Sequence, residues 1–595
     1  MPPWPEPFVL LDDARPGGGP ARLYRAPVRV VEARTVEDVR PALDLVRAGG
    51  AEGLHAAGYL AYEAGAAFEP SVPRPSSSAP LLWFGLFERS EEVPADEVPA
   101  LLPDPAGAWI GAPRPCIDEG AYADEFTRVH ELIAAGDLYQ ANLSFRAAVP
   151  FAGDPLALYA ALRARAGAGW GGVVATGRTA LLSFSPELFF SLEAGFLTCR
   201  PMKGTARRSA MPAQDRAAAL ELAADPKQRA ENLMIVDLMR NDLSRVAAPG
   251  SVATPELFAV ETYPTIHQLV SVVTAELAAG RDAVDMLGAA FPCGSITGAP
   301  KVRAQQALAA IEAGPPRGAY TGSIGRIDAG GDAAFNVAIR TLAIEEGEAQ
   351  IGLGSGLVAD STAGAEWDEC LAKAAFLEAG QRRFDLIETM AFDPEEGIAL
   401  LDRHLERLRR SAALFGFAFD RHATRNELQA ATFRLRGAAR VRLLLAAGGA
   451  VTVETGPLPP APTTPVGVAV VPLPVHPGDF RLRHKTTDRR FYDDARRAAA
   501  AFEVVFEDRD GRLTEGSFTS LFVPRDGLLV TPPLARGLLP GVLREALIAD
   551  GRAVEGELRA GDLAGGFLIG NALRGLMPAV TVAVRAVAVE GGASL

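Results

Sequence analysis

Lysine is nearly missing from this chain. Of 59 basic residues only five are lysine (Lys203, Lys227, Lys301, Lys373 and Lys485), leaving 54 arginines. Arginine stays protonated in proteins and cannot act as a nucleophile or form an imine, whereas a buried lysine can lose its proton. A sequence this biased keeps lysine where the guanidinium cannot substitute, so these five positions are the first places to look for chemistry. Cysteine is also scarce. The four thiols (Cys116, Cys199, Cys293, Cys370) are widely spaced and in no metal-ligand pattern, which excludes a disulfide framework and suits a reducing compartment. Basic charge is in deficit: a net charge of -14 argues against nucleic acid as a partner, though not against small anions held by local groups.

Long apolar runs are absent as well. The longest uncharged stretch, Thr455 to Gly478, is broken by eight prolines and cannot be a membrane span. The first residues lack the basic and apolar regions of a signal peptide. A cytoplasmic enzyme is the expectation. At 595 residues, with 48% hydrophobic and 22% charged residues, the chain is ordinary globular protein and too long for a single core.

Strand-like runs such as Leu81–Phe87 occupy the region before about residue 117, between turns rich in proline, glycine and serine. Helices are predicted over 118–135, 228–246 and 365–379, and strands over 179–184, 188–192, 320–327, 335–344 and 349–357. Near residue 380 the pattern restarts with a strand at Phe384–Met390, a helix over 402–414 and the proline-rich crossover. The resulting divisions are 1–117, 118–380 and 384–595, all α/β or α+β.

In the first half Glu231 and Asp242 lie on one otherwise apolar helix face, and Glu366, Glu369 and Lys373 share another at i, i+3, i+7. Glu369–Lys373 reads equally as a solvated ion pair. Glutamates from two helices also suit magnesium, which takes few protein carboxylates and completes its shell with water and substrate oxygens. Gly294–Lys301 is not a Walker loop, and Gly352-Leu353-Gly354-Ser355-Gly356 is not a dinucleotide fingerprint. Both fit loops whose backbone N–H groups approach a carboxylate.

Taken in order, Ser185-Pro186-Glu187, Pro201-Met202-Lys203-Gly204-Thr205, Arg229 through Asp242, Thr297-Gly298-Ala299-Pro300-Lys301 and Gly354-Ser355-Gly356 resemble the chorismate-binding enzymes. The resemblance implies a two-sheet α/β sandwich. Within that family the residue after Pro-Met is alanine in anthranilate synthases and lysine in aminodeoxychorismate synthase component I. Lys203 therefore resembles the latter, with Met202 a near volume-conserving exchange for the commoner isoleucine. The resemblance implies that Lys203 attacks C2 of chorismate as the 4-hydroxyl leaves, with Glu187 as general acid/base and ammonia entering at C4. It implies Mg²⁺ on Glu231 and Glu369, with Glu366 acting through water. Chorismate contacts are implied for Gly204, Thr205, His267, Thr297, Tyr320, Arg340, Gly354, Gly356 and Lys373. A lone histidine such as His267 is by itself more often a satisfied core residue. None of the cysteines has the glycine-flanked setting of a glutaminase nucleophile, so a separate glutamine amidotransferase subunit is expected to supply ammonia.

In the second half, His404-Leu405-Glu406-Arg407-Leu408, Arg483-His484-Lys485-Thr486-Thr487, Leu513-Thr514-Glu515-Gly516 and Leu538-Leu539-Pro540-Gly541-Val542-Leu543 supply an amine, an acid and candidate phosphate ligands. Singly each is weak, since Arg407 could be a solvated helix residue and Glu515 a turn acid. Together they resemble the class IV aminotransferases, with fold type IV. That resemblance makes Lys485 the Schiff-base lysine of pyridoxal 5'-phosphate and Glu515 the partner of its pyridine nitrogen. Arg407, Val542, Leu543 and Asn571 would hold its phosphate, and a homodimer is usual. The strings do not separate a transaminase from an aminodeoxychorismate lyase; the neighbouring half favours the lyase. The rival readings are an anthranilate-type synthase fused to a transaminase, a binding protein without turnover, and an active synthase with a vestigial second half.

Overall fold

The structure is a computed structural model that describes residues 6–74, 79–262 and 266–583. It forms two compact units: 1–102 with 112–150 and 159–379, and 103–111 with 151–158 and 380–595.

The first unit contains two ten-stranded sheets, and every strand pairing in them is antiparallel. Val9, Tyr24, Val174 and Leu181 from one sheet pack on Tyr59, Trp83, Phe87 and Ile324 from the other, so the sheets form a sandwich with an apolar filling. On the outer face of the second sheet a larger cluster seats the helices Val36–Ala51, Pro226–Ser244 and Ala283–Ala290 through Val39, Leu43, Ile235, Met239 and Leu287. The helices outside and sheets inside bear out the predicted α/β sandwich.

Boundaries differ mostly by two residues or fewer. The predicted helix at 228 begins at Pro226, because Asp225 accepts hydrogen bonds from the Lys227 and Gln228 amides and proline suits the first turn. The predicted single strand 335–344 is two strands, Ala333–Asn336 in one sheet and Thr341–Glu345 in the other. The chain changes sheet between them, with Arg340 at φ +50°. A continuous apolar pattern conceals such a switch because both strands are buried. The glycine run 352–356 lies inside the strand Glu348–Leu357 rather than in a loop.

The second unit holds a four-stranded antiparallel sheet and an eight-stranded mixed one, in which Val466–Pro472 runs parallel to both its neighbours. Its first sheet buries Leu386, Met390, Val441 and Leu443 against the helix Leu401–Phe415. Two short upstream segments complete this unit. Ala108–Ile110 and Phe151–Gly153 pair as a ribbon, Trp109 meets the Phe415 ring edge-on at 4.8 Å, and Asp104 pairs with Arg481 at 3.1 Å. Among the described residues no helix is long and apolar enough to cross a membrane.

Because Trp109 is only partly buried, Trp109→Ala should cost the second unit about 2 kcal/mol, below the range for a fully buried tryptophan. For a unit of this size that lowers its calorimetric transition by roughly 4–8 °C. The transition of the first unit should not move.

Candidate active sites

The first unit contains a cavity of about 830 Å³. Lys203 reaches it from the strand Met202–Arg207, whose pairing with Ile266–Glu276 slips between Met202 and Thr205. This bulge turns on Gly204 at φ +91°, where a Cβ would lie 2.8 Å from Gln228 Oε1. Only glycine fits there.

Gly352, Gly354 and Gly356 alternate along the strand with their α-carbons facing the cavity side. A Cβ at Gly352 would lie 2.0 Å from the Tyr320 ring, and one at Gly354 would lie 2.4 Å from Ser144 Oγ. One at Gly356 would stand 2.9 Å from Lys203 Nζ. The glycines therefore make room for the tyrosine and the amine. This is a steric reason for them and differs from the anion-loop reading.

Burial pushes the Lys203 amine down, the Lys373 ammonium pushes it further, and Glu187, Glu231 and Glu369 oppose both. Burial raises the Glu187 carboxyl to about 7 against the pull of Ser295 and Lys203, and its Oε1 is buried without a hydrogen-bond partner in the protein. Lys373 donates to the Gly354 carbonyl at 2.8 Å and pairs with Glu369 at 2.8 Å. Burial would raise the Glu369 carboxyl, but Lys373 and then Lys203 outweigh it and hold it low. Glu231 is raised, by burial first and then by Glu366 and Glu369, although Lys203 and Lys227 oppose this.

Glu366 and Glu369 both raise Glu231 across one cavity that all three line, a gathering of carboxylates that fits a divalent cation, and hard oxygen donors suit magnesium. Among the described residues no three His, Cys, Asp or Glu side chains cluster tightly enough to hold a metal by themselves. Water and substrate oxygens would have to complete the shell.

Gly204, Thr205, Tyr320, Arg340, Gly354, Gly356 and Lys373 also line this cavity. His267 and Thr297 do not. His267 is buried between Thr262 Oγ1 and Asp215 Oδ1, both at 3.0 Å from its ring nitrogens. The Thr297 hydroxyl donates to the Cys293 and Gly294 carbonyls at 3.2 Å. Strand alternation puts Gln268 on the wall instead of His267, and Gln268 Nε2 donates to the Gly204 carbonyl at 2.8 Å. Gln268 and Gln228 were missed; the two-residue period of strand 266–276 would have found the former.

The second unit contains a cavity of about 380 Å³ lined by Lys485, Glu515, Arg407, Val542, Leu543 and Asn571, among others. Burial, then Arg407, lowers the Lys485 amine to about 7 against Glu388. Glu515 is raised by burial to about 7; it accepts the Tyr492 hydroxyl at 2.5 Å and the Leu539 amide at 3.0 Å. Arg407 is gripped by Glu388 through Nε at 2.8 Å and Nη2 at 2.6 Å, and His404 Nδ1 lies 2.6 Å from the same carboxylate.

The helix Val542–Ala549 begins at the cavity wall, and a Cβ at Gly541 would lie 2.6 Å from Ser520 Oγ. This cradle of helix amides, Ser520 and Arg407 is what a phosphate monoester requires. With an amine near neutrality and a buried acid in the same space, the residues present fit pyridoxal phosphate. Glu388, which sequence reasoning missed, sits in the strand Leu386–Asp393 as one buried acid among apolar neighbours.

The family model described as chorismate binding enzyme matches residues 21–379, and the one described as amino-transferase class IV matches residues 385–582. Aminodeoxychorismate synthase component 1 of Klebsiella aerogenes is 45% identical over 252 residues, covering 42% of this chain and 56% of that protein. Anthranilate synthase component 1 of Streptomyces coelicolor is 39% identical over 268 residues, covering 45% of this chain and 52% of that protein. The chain thus spans little more than half the length of these relatives. The crystal structure of anthranilate synthase component I from Streptococcus pneumoniae superimposes with a TM-score of 0.52 at 25% identity, over 63% of this chain and 92% of that one.

Removing the grip on Arg407 tests the second cavity. Glu388→Gln leaves a buried guanidinium without its charge partner, which should cost about 3 kcal/mol of unit stability in thermal denaturation. It should also raise the coenzyme concentration needed for half-saturation.

Proposed function

From a chain that belongs to the chorismate binding enzyme family and carries a class IV amino-transferase domain, we propose a two-step synthesis of 4-aminobenzoate. The first unit aminates chorismate to 4-amino-4-deoxychorismate, and the second removes pyruvate to leave the aromatic amine. One observation carries the reading: a buried amine, Lys203, shares a cavity with Glu187, whose carboxyl titrates near neutrality.

In the first unit the neutral Lys203 amine bonds to C2 of the ring. The double bonds shift, and the 4-hydroxyl leaves as water with a proton from Glu187. Ammonia then bonds to C4 and Lys203 is expelled as the neutral amine, while the extra proton of the new C4 ammonium returns to Glu187. Magnesium held by Glu231 and Glu369 would neutralise the ring carboxylate. Ammonia comes from a separate glutamine amidotransferase. Burial pushes the Cys293 thiol up to about 12 and the Cys370 thiol to about 11, which leaves neither suited to glutamine hydrolysis.

In the second unit pyridoxal phosphate, when bound, supplies an electron sink for the amine-bearing carbon. Arg407, the Val542 and Leu543 amides and Asn571 would hold its phosphate, and Glu515 would be the acid for its ring nitrogen. Lys485 would carry the coenzyme, and its amine, lowered by burial, would take the proton from C4 of the substrate. The chain works in the cytoplasm.

Incubation with chorismate, Mg²⁺ and ammonium, with and without coenzyme, tests the scheme by product identification. The aminated intermediate is expected without coenzyme and 4-aminobenzoate with it; 2-aminobenzoate would refute the synthase reading. Lys203→Ala should abolish amination, a loss of at least a thousandfold. Lys485→Ala should leave amination intact and let the intermediate accumulate.

The pH profile gives a separate check. Glu187 must be protonated to release the hydroxyl, so turnover should fall as pH rises through about 7, the value to which burial lifts that carboxyl. Glu187→Gln should remove this limb along with most of the rate.

A further inference from the structure

The second cavity carries more positive charge than its coenzyme needs. Six arginines line it against two acids, Asp493 and Glu515. Three are accounted for. Arg407 is held by Glu388, Arg481 by Asp479 at 2.6 Å, and Arg442 leans toward Glu454 at 3.6 Å on a part-exposed surface. The other three are placed mainly by ring stacking and backbone contacts; Arg489 and Arg574 have no carboxylate partner among the described residues, and Arg496 pairs with Asp493 alone.

Arg489 donates to the Ser517 carbonyl at 2.5 Å and lies over the Tyr492 ring at 5.2 Å. Arg496 lies over Phe518 at 5.3 Å, reaches Asp493 only at 3.4 Å, and keeps its Nε buried without a partner. Arg574 lies over Phe502 at 5.9 Å, and the Phe502 and Phe518 rings meet edge-on at 6.0 Å. Among the described residues no carboxylate lies within ion-pair distance of Arg489 or Arg574. The turn that carries Arg574 is itself fixed, since Asn571 Oδ1 accepts the Arg574 amide at 2.9 Å and Asn571 Nδ2 donates to the Phe518 carbonyl at 3.0 Å.

Stacking on a ring satisfies the face of a guanidinium and leaves its in-plane donors free, the arrangement that takes a carboxylate through two hydrogen bonds. Phosphate does not use these donors, because the helix start at Val542 and Arg407 already form its cradle. We infer that Arg489, Arg496 and Arg574 make a second anion subsite that takes the paired carboxylates of a dicarboxylate ring amine and selects against amino acids bearing one carboxylate. This rests on the proposed role of the second unit and names the residues that would choose its substrate. A monocarboxylate leaves at least one half-buried guanidinium unpaired, and such a group is costly.

The test uses the full chain loaded with pyridoxal phosphate. The coenzyme absorbance reports only the cavity that contains it, so isophthalate and benzoate can be titrated against that band without interference from the chorismate cavity. Isophthalate should bind at least tenfold tighter than benzoate. Arg489→Gln and Arg574→Gln should each weaken isophthalate at least tenfold and benzoate less than threefold, and should raise KM for 4-amino-4-deoxychorismate more than they lower kcat. Arg574→Lys, which keeps the charge but not the fork, should recover only part of the loss. Equal affinity for the two acids, or variants that bind isophthalate like the parent, would overturn the subsite alone. A chain that takes up no coenzyme would overturn the role of the second unit, and the subsite with it.

Discussion

Both cavities depend on taking an amine out of water. An ammonium loses its hydration on burial, so the neutral form gains, and a carboxylic acid in the same surroundings gains its proton. Lys203 and Lys485 are lowered while Glu187 and Glu515 are raised, each with burial as the largest cause. One physical effect thus brings an amine and an acid toward each other in each unit. Like charge sharpens it, through Lys373 beside Lys203 and Arg407 beside Lys485. Lys301 is placed differently: its Nζ donates to Asp242 at 2.5 Å and to the Ala290 carbonyl at 2.7 Å, a structural ion pair.

Such surroundings must be built from a close-packed sheet with no side chain in the way. Glycine at 352, 354 and 356 leaves one face of a central strand bare, and Tyr320 and Lys203 occupy the space so made. The cost of glycine in a strand interior, about 0.5–1 kcal/mol relative to alanine, is offset by the unbroken pairing of 349–357 with the strand Gln140–Val149. Rigidity follows. The Lys203 amine sits on a bulge between two paired stretches, so the strand that positions it cannot slide without breaking both.

The parts of this arrangement that lie within one element were legible in the sequence. Glu366, Glu369 and Lys373 share a helix face because of their spacing, and they line one cavity. The strings around Lys203 and Lys485 marked both amines. What the sequence left hidden depends on registers that only the sheets define. His267 and Gln268 are adjacent, and which of them faces the cavity is decided by the pairing of their strand. The break between Asn336 and Thr341 carries no turn signal, because both flanking strands are buried in apolar surroundings. Residues 103–111 and 151–158 are read as part of the first half on sequence order, yet they fold with the second unit through Trp109 and Asp104, contacts that join residues hundreds of positions apart.

The arginine excess then has a structural use that lysine could not serve. A guanidinium keeps its charge when half buried, stacks on rings and forks toward oxygen anions, so it fixes positive potential in place without becoming a competing nucleophile. Arg407 and Arg489 both lie close enough to Lys485 to lower its affinity for a proton. Were either a lysine, the cavity would hold a second titratable amine, and the two would share protons near neutrality. A coenzyme held through an imine could then link to the wrong one. Keeping lysine at one position on that wall and arginine at the rest makes the reactive nitrogen unique, even in a chain whose net charge is -14.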